Sequence, residues 1–293
     1  NMKVLFRIIL MCPFLSFGHF FTQENWDFEK INQKKPLFLD TRAINGHTVK
    51  LLEKKVLELR IIHRFGDIAT NESYRTLFGL DNSSDIRIGL EYGLTDKIMI
   101  GAGRSKGAGP FLELWDAFIK SEVYNNKALK LKISWSSKLF FTTMKSSKIE
   151  SDLTYFSKLS HRVTYHNELL IAFKPINKLT LQLSPGFIFR NLSQIEDKNF
   201  IPHIGTIARL HLFKKVSLVA EYYANINSTD YRKNNYVNPF GLGIEINTFG
   251  HVFLLNFVNS RGIGEGQFLP YTKSKWTKGE YRFGFTIARK FNK

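Results

Sequence analysis

Cysteine is almost missing from this chain: there is one in 293 residues, Cys12, close to the start. Removal of a leader would leave none, which excludes disulfide staples and thiolate chemistry in the mature protein. Uninterrupted apolar runs are also missing beyond the N-terminus. A membrane-spanning helix needs about 20 such residues, so a helical membrane domain is excluded. Acidic residues are few beside basic ones, 25 against 42, for a formal charge of +17. What the chain has in quantity is aromatic residues, 14% of the total with 27 phenylalanines, at a mean hydropathy no more apolar than that of a soluble protein. Transmembrane β-strands combine these two properties, because half of their residues face a polar lumen.

The start of the chain reads as an export signal. Lys3 and Arg7 precede and interrupt an apolar stretch from Val4 to Phe17, which is too short to span a bilayer, and Ser16-Phe17-Gly18 offers small residues for cleavage after Gly18. Met11 is too bulky for Cys12 to be a lipid-attachment site. The expected organisation is a signal peptide at 1–18, a periplasmic N-terminal segment at 19–55 that is either a tail or a small plug, and a transmembrane barrel at 56–293. Within the middle segment, Thr48 is expected to cap a short helix through Lys54 and Lys55.

From Val56 onward the sequence alternates with period two, the mark of strands. Ile86, Ile88, Leu90, Tyr92 and Leu94 share one face; Asp85, Arg87, Gly89, Glu91 and Gly93 share the other. Twelve such strands are expected, starting near Val56, Asp85, Lys97, Trp115, Leu129, Arg162, Leu179, Pro202, Val216, Asn238, His251 and Gly279; ragged stretches at 104–125 and 196–213 leave 10 or 14 open.

Connection lengths separate a membrane barrel from a soluble sandwich. Short turns fall at Thr95-Asp96-Lys97, Asn125-Asn126-Lys127, Pro175 to Lys178, Phe213-Lys214-Lys215 and Thr248-Phe249-Gly250, and every connection between them is longer and polar. Strict alternation of short and long connections predicts an all-β, antiparallel, up-and-down transmembrane barrel with short periplasmic turns and longer outer loops. Phe291 continues the parity of Phe283 and Phe285, so the last strand ends on a lipid-facing aromatic that resembles the signal read by the barrel assembly machinery.

Two segments, TRAINGHTVKLLEKKVLELRIIHRFGDI (41–68) and FGLDNSSDIRIGLEYGLTDKIMIGAGR (78–104), resemble an uncharacterised Bacteroidota family of β-barrel domains of unknown function. The resemblance extends more loosely through VSLVAEYY (216–223) and GEYRFGFTIARKF (279–291). It implies a membrane barrel in the outer membrane and carries over no catalytic or binding residue.

Parity assigns Arg60, Arg87, Glu91, Lys130, Lys132, Lys138, Glu168, Arg209, Glu221, Glu245 and Arg282 to the lumen, with Lys130, Lys132 and Lys138 as a basic stripe on one strand. The near-balance of signs fits either cross-bracing salt bridges or a polar conduit. No His-x-Ser spacing is present, and His161, His166, His203 and His211 are far apart in sequence, so neither a Ser/His enzyme nor a metal centre is expected, and no cofactor. Gly101 and Gly103 lack dinucleotide spacing and read as easing strand curvature. Loop lysines such as Lys145, Lys148 and Lys275 suit lipopolysaccharide phosphates, and Lys178 and Lys214 suit inner-leaflet headgroups; a nucleic-acid partner is not expected. The expected function is a narrow channel for small polar or anionic solutes. The alternatives are a closed structural or partner-docking barrel, engaging a periplasmic partner through the N-terminal segment, and thirdly a lipid-modifying enzyme.

Overall fold

Alternating β-branched, aromatic and polar residues give each strand one apolar and one polar face, and such a sheet is stable in lipid only when no edge is left unpaired. The computed structural model, which describes residues 36–69, 73–226, 229–248 and 250–291, resolves this by closure. Twelve antiparallel strands form one barrel: β1 (Leu57–Asp67), β2 (Ser83–Thr95), β3 (Ile98–Lys106), β4 (Glu113–Asn126), β5 (Leu131–Thr142), β6 (Val163–Ile176), β7 (Leu179–Arg190), β8 (Phe200–His211), β9 (Val216–Asn225), β10 (Phe240–Thr248), β11 (His251–Val258) and β12 (Arg282–Phe291). Each strand pairs with its sequence neighbours, and β1 closes the sheet on β12, with Ile61 opposite Ile287. Two short helices, α1 (Asp230–Asn235) and α2 (Glu265–Tyr271), lie in the connections. The strand starts fall within three residues of those expected from sequence; the largest offset is at β12, where a turn through Gly279 (φ 74°) delays the strand to Arg282. The expected signal peptide and residues 19–35 lie outside the described residues.

The two faces are those of a membrane barrel. Ile88 and Leu90 are 52% and 53% exposed, and Trp115, Leu139, Leu183 and Leu255 also point outward, whereas Arg60, Arg87, Glu91 and Lys120 are 0–1% exposed. A water-soluble protein would reverse this arrangement. Short turns gather at one end of the barrel and long connections at the other, with β1 starting at the short-turn end.

The helix expected after Thr48 does not form. Residues 37–52 instead run irregularly inside the barrel, and 53–55 form an exposed turn into β1; within the insertion a tight loop is closed by the Arg42–His47 bridge and by Ala43 N–H to the Gly46 carbonyl at 2.9 Å. The physical reason is competition for the backbone groups: β2 and its turn take N–H groups that a helix would have satisfied internally, as where Lys54 N–H donates to Asp96 Oδ1 at 3.1 Å and Lys55 N–H to the Gly93 carbonyl at 2.8 Å.

Candidate lumen site and its plug

The wall holds the inserted segment through charge. Glu221 on β9 accepts the backbone N–H groups of Ile44, Asn45 and Gly46 at 3.0–3.1 Å. Arg60 on β1 forks onto Asp40, with Nη1 to Oδ2 at 2.8 Å, and also donates to Glu58 at 2.6 Å. Glu91 on β2 accepts from Thr41 Oγ1 at 2.9 Å and from Arg42 Nε at 3.2 Å. Lys120 on β4 donates to the carbonyls of Thr41 and Thr48 at 3.1 and 3.0 Å. Ile44 and Val49 add apolar packing against Leu170, Ala172, Ile207, Val219 and Leu254.

A second insertion enters from the long-loop end. Residues 262–270 of the β11–β12 connection, including most of α2, are buried within the barrel. Ile263 N–H donates to Asp85 at 3.1 Å, and Gln267 Nε2 donates to the carbonyls of Ala108 and Phe111 at 2.9 and 2.7 Å. Arg64 joins the two insertions: it donates to Asn45 in the first and to Ser260 Oγ, at 2.8 Å, beside the second. Closer to the mouth, Asp197 of the β7–β8 connection is gripped by Arg190 on β7 and Arg232 on α1, both at 2.8 Å, and Arg232 also donates to the Pro270 carbonyl at 2.9 Å, which ties three connections together. Burial holds the Arg232 guanidinium below its ordinary range, against the pull of Asp197.

Of the residues assigned to the lumen from sequence, Arg60, Arg87, Glu91, Lys138, Glu168, Arg209, Glu221, Glu245 and Arg282 are buried on the inner face. Arg87 forks onto Asp116 at 2.6 and 2.8 Å, Arg209 bonds Glu245 at 2.8 Å, and Arg282 bonds Asp67 at 2.6 Å. Lys132 is half-buried at the short-turn rim, 2.7 Å from Glu122. Lys130 is a correction: it is exposed in the β4–β5 turn at φ 52° and donates to Asn177 of the next turn at 3.1 Å. Parity does not extend back past the strand start at Leu131, so the basic stripe reduces to Lys138 with Lys132 at the rim.

Glu58, Arg64, Asp116, Lys120 and Arg190 are further strand charges buried on the inner face. Arg64 keeps the parity of Arg60 and was legible; Asp116 lay in the ragged stretch. The glycines of β3 also have a more specific role than easing curvature. Gly103 and its cross-strand neighbour Gly89 clear the space filled by the Arg87 guanidinium, where a Cβ at either position would come within 2.6 Å of it.

The histidines separated in sequence are not all separated in space. His166 on β6 and His203 on β8 meet at 2.9 Å between their Nε2 atoms, beside Glu168 and Lys138. Outside the lumen, Ser83 Oγ lies 3.2 Å from His63 Nε2, but His63 Nδ1 has no partner to orient the ring, so this pair lacks the third member of a triad.

With both insertions in place the charged groups of the inner wall are buried, most of them below 5% exposure. Water filling an open bore would wet these side chains, so the lumen is sealed in this conformation.

The family model for a membrane bound beta barrel domain (DUF5777) matches residues 38–291, a span that includes the inserted segment along with the barrel. None of the curated proteins matches the chain in sequence. Among solved structures, the KdgM porin superposes with a TM-score of 0.50 at 8% identity, over 81% of this chain and 99% of that one. An outer membrane channel from Pseudomonas putida F1 superposes at 0.47 with 9% identity, over 83% and 97%. At such identities the likeness is one of fold.

Proposed function

This chain belongs to the membrane bound beta barrel domain family, and on that premise we propose that it is an outer-membrane conduit for small polar or anionic solutes, sealed at rest by its own residues 37–52. The lipid-facing apolar wall and the closed sheet put the chain in the outer membrane. The observation that carries the conduit reading is how the lumen is filled. Among the described residues the seal is covalently continuous with the wall only at β1, and beside its apolar packing it is held by charged and backbone groups that water can also satisfy. A bore closed for good needs no removable filling. With the segment withdrawn, the wall presents eight buried bases and seven buried acids on its strands, a polar path with a slight positive excess that favours anions. The neighbouring porin fold agrees with this reading and does not carry it. The short-turn end, where the segment joins β1, is taken as periplasmic.

A second reading, a closed scaffold, is favoured by the second insertion at 262–270, which fills the lumen from the other side. No catalytic role is assigned: among the described residues the buried His166–His203 pair makes no hydrogen bond to a hydroxyl, and the Ser83–His63 contact has no third member.

Planar-bilayer recording separates the two. The full chain is expected to be closed for most of the time with brief openings, and a variant lacking 37–52 to be open for much longer. Cysteines at Thr41 and Glu91, joined by a short bismaleimide, should hold the full chain shut. A folded barrel that passes no current in any of these forms overturns the conduit in favour of the scaffold.

A further inference from the structure

The cluster on the β6 wall carries more chemistry than an ion pair needs. His166 and Glu168 stand two residues apart on the inner face of β6, and Glu265 reaches them from α2 of the inserted loop. One ligating atom from each lies within 4.8 Å of the others, and all three residues are at most 2% exposed. Three neighbouring polar atoms have no hydrogen-bond partner: Glu168 Oε2, His166 Nδ1 and His203 Nδ1. Buried polar atoms are seldom left in that state. We propose that His166, Glu168 and Glu265 form a buried site for a divalent transition metal, one imidazole and two carboxylates, which pins the inserted loop to the barrel wall.

The geometry around His166 supplies the ligand atom. The His166 and His203 ring centres are 5.1 Å apart with their Nε2 atoms 2.9 Å apart. The two nitrogens therefore lie between the rings and face each other, too close for an ion between them but suited to one shared N–H. The His166 tautomer with its proton on Nε2 would donate to His203 and keep a lone pair on Nδ1 for the metal. Ligating histidines commonly donate their other ring N–H in this way. His203 is thus a positioning residue. It reaches across β7 because residue 186 is glycine: a Cβ there would meet His203 Cε1 at 2.9 Å and Glu168 Cβ at 2.8 Å.

Lys138 is the present counter-charge. Its ammonium contacts Glu265 and lies 3.5 Å from Glu168 Oε1, in the place a cation would take between the two carboxylates. Arg42 is 4.0 Å from Glu265 but is closer to Glu91, at 3.2 Å. One ammonium faces two carboxylates, and a divalent ion would neutralise both. Ligand atoms about 2.0–2.2 Å from a metal sit closer together than 4.8 Å, a contraction that rotation of the two glutamate side chains supplies. Imidazole with carboxylate suits zinc, iron or manganese, and the absence of thiolate or thioether argues against copper(I).

Metal binding can be measured whether or not the barrel conducts. The full chain is stripped with EDTA and refolded in detergent with and without zinc, so that ion access through the sealed lumen is not in question. One tightly held zinc per chain by elemental analysis is expected, with a raised unfolding temperature. Barrel folding is checked by heat-modifiable gel mobility. His166→Ala and Glu265→Gln should each weaken zinc binding by more than the ~10–100-fold that loss of an orienting partner causes. Lys138→Met removes the competing ammonium and should bind zinc more tightly than wild type, whereas an ion-pair cluster without a metal role would be left with two unpaired carboxylates that zinc does not rescue. Stoichiometric zinc retained by both His166→Ala and Glu265→Gln, or none bound by either wild type or Lys138→Met, overturns the site.

Discussion

Glu221 on β9 and Gly46 in the inserted segment are joined by a charge-assisted hydrogen bond of 3.0 Å, and the same carboxylate also takes the N–H groups of Ile44 and Asn45. Three successive backbone donors converging on one carboxylate is how a protein binds an anion; here the anion belongs to the wall and the binding loop is the plug. Hydrogen bonds to charged groups are worth about 1.5–3 kcal/mol each. Replacing Glu221 by alanine should therefore loosen the plug and leave the barrel intact. The measurement is hydrogen–deuterium exchange over 41–49, expected to speed up by about 10–100-fold for one such bond's worth of free energy, with the strands unchanged. Equal loss of protection throughout the barrel would mean that the segment is part of a single cooperative unit.

His47 makes plug docking sensitive to acid. Its ring is buried against Phe118, and both ring nitrogens lack partners. Burial holds its pKa well below the ordinary value, reinforced by the Arg42, Lys138, Lys120 and Arg87 cations. A free segment takes up a proton below about pH 6.5, and the docked one does not. Docking is unaffected above that pH and weakens by up to about 1.4 kcal/mol for each unit below it. Open probability is expected to be flat from pH 8 to 7 and to rise below 6.5, with His47→Asn abolishing the His47 contribution. Openings that become rarer in acid would contradict the assignment.

Much of the wall was legible in the sequence, because alternation is a local signal and connection lengths carry the topology. Asp85 to Leu94 shows its two faces without any knowledge of partners. The filling of the lumen was not legible. Arg42 finds Glu91 49 positions away and Ile44 finds Glu221 177 positions away, and residues 37–55 have no period from which insertion could be read. Lys130 was misplaced because parity does not survive a turn, and His166 and His203, 37 positions apart, meet only because β7 offers a glycine between them.

The outward face can be tested at Ile88, which is 52% exposed. Arginine there puts a charge into hydrocarbon and should cost about 2–4 kcal/mol if the position is near the midplane, lowering the urea midpoint of the folded barrel in vesicles. Lys130→Glu, in contrast, changes an exposed turn residue and should alter neither stability nor the ion preference of the plug-deleted form. A change of selectivity at Lys130 would return it to the conduction path.

The inner face responds differently from that of an open pore. Ser134 on β5 is fully buried, and its hydroxyl donates to the Val49 carbonyl of the plug at 3.3 Å. In a water-filled bore an arginine at Ser134 would extend into solvent at little cost. In a packed lumen it meets the plug, and overpacking of a filled interior costs about 1–3 kcal/mol. The least stabilised neighbour should give way, and that is the irregular inserted segment, since the strand is held by ladders on both sides. Ser134→Arg is therefore expected to keep its heat-modifiable gel mobility and urea midpoint, lose exchange protection over 41–49, and conduct for longer in planar bilayers. Loss of the folded barrel would show that plug and wall cannot be separated energetically. Unchanged protection would show that the lumen has room, and with it that the seal is looser than the buried wall charges imply.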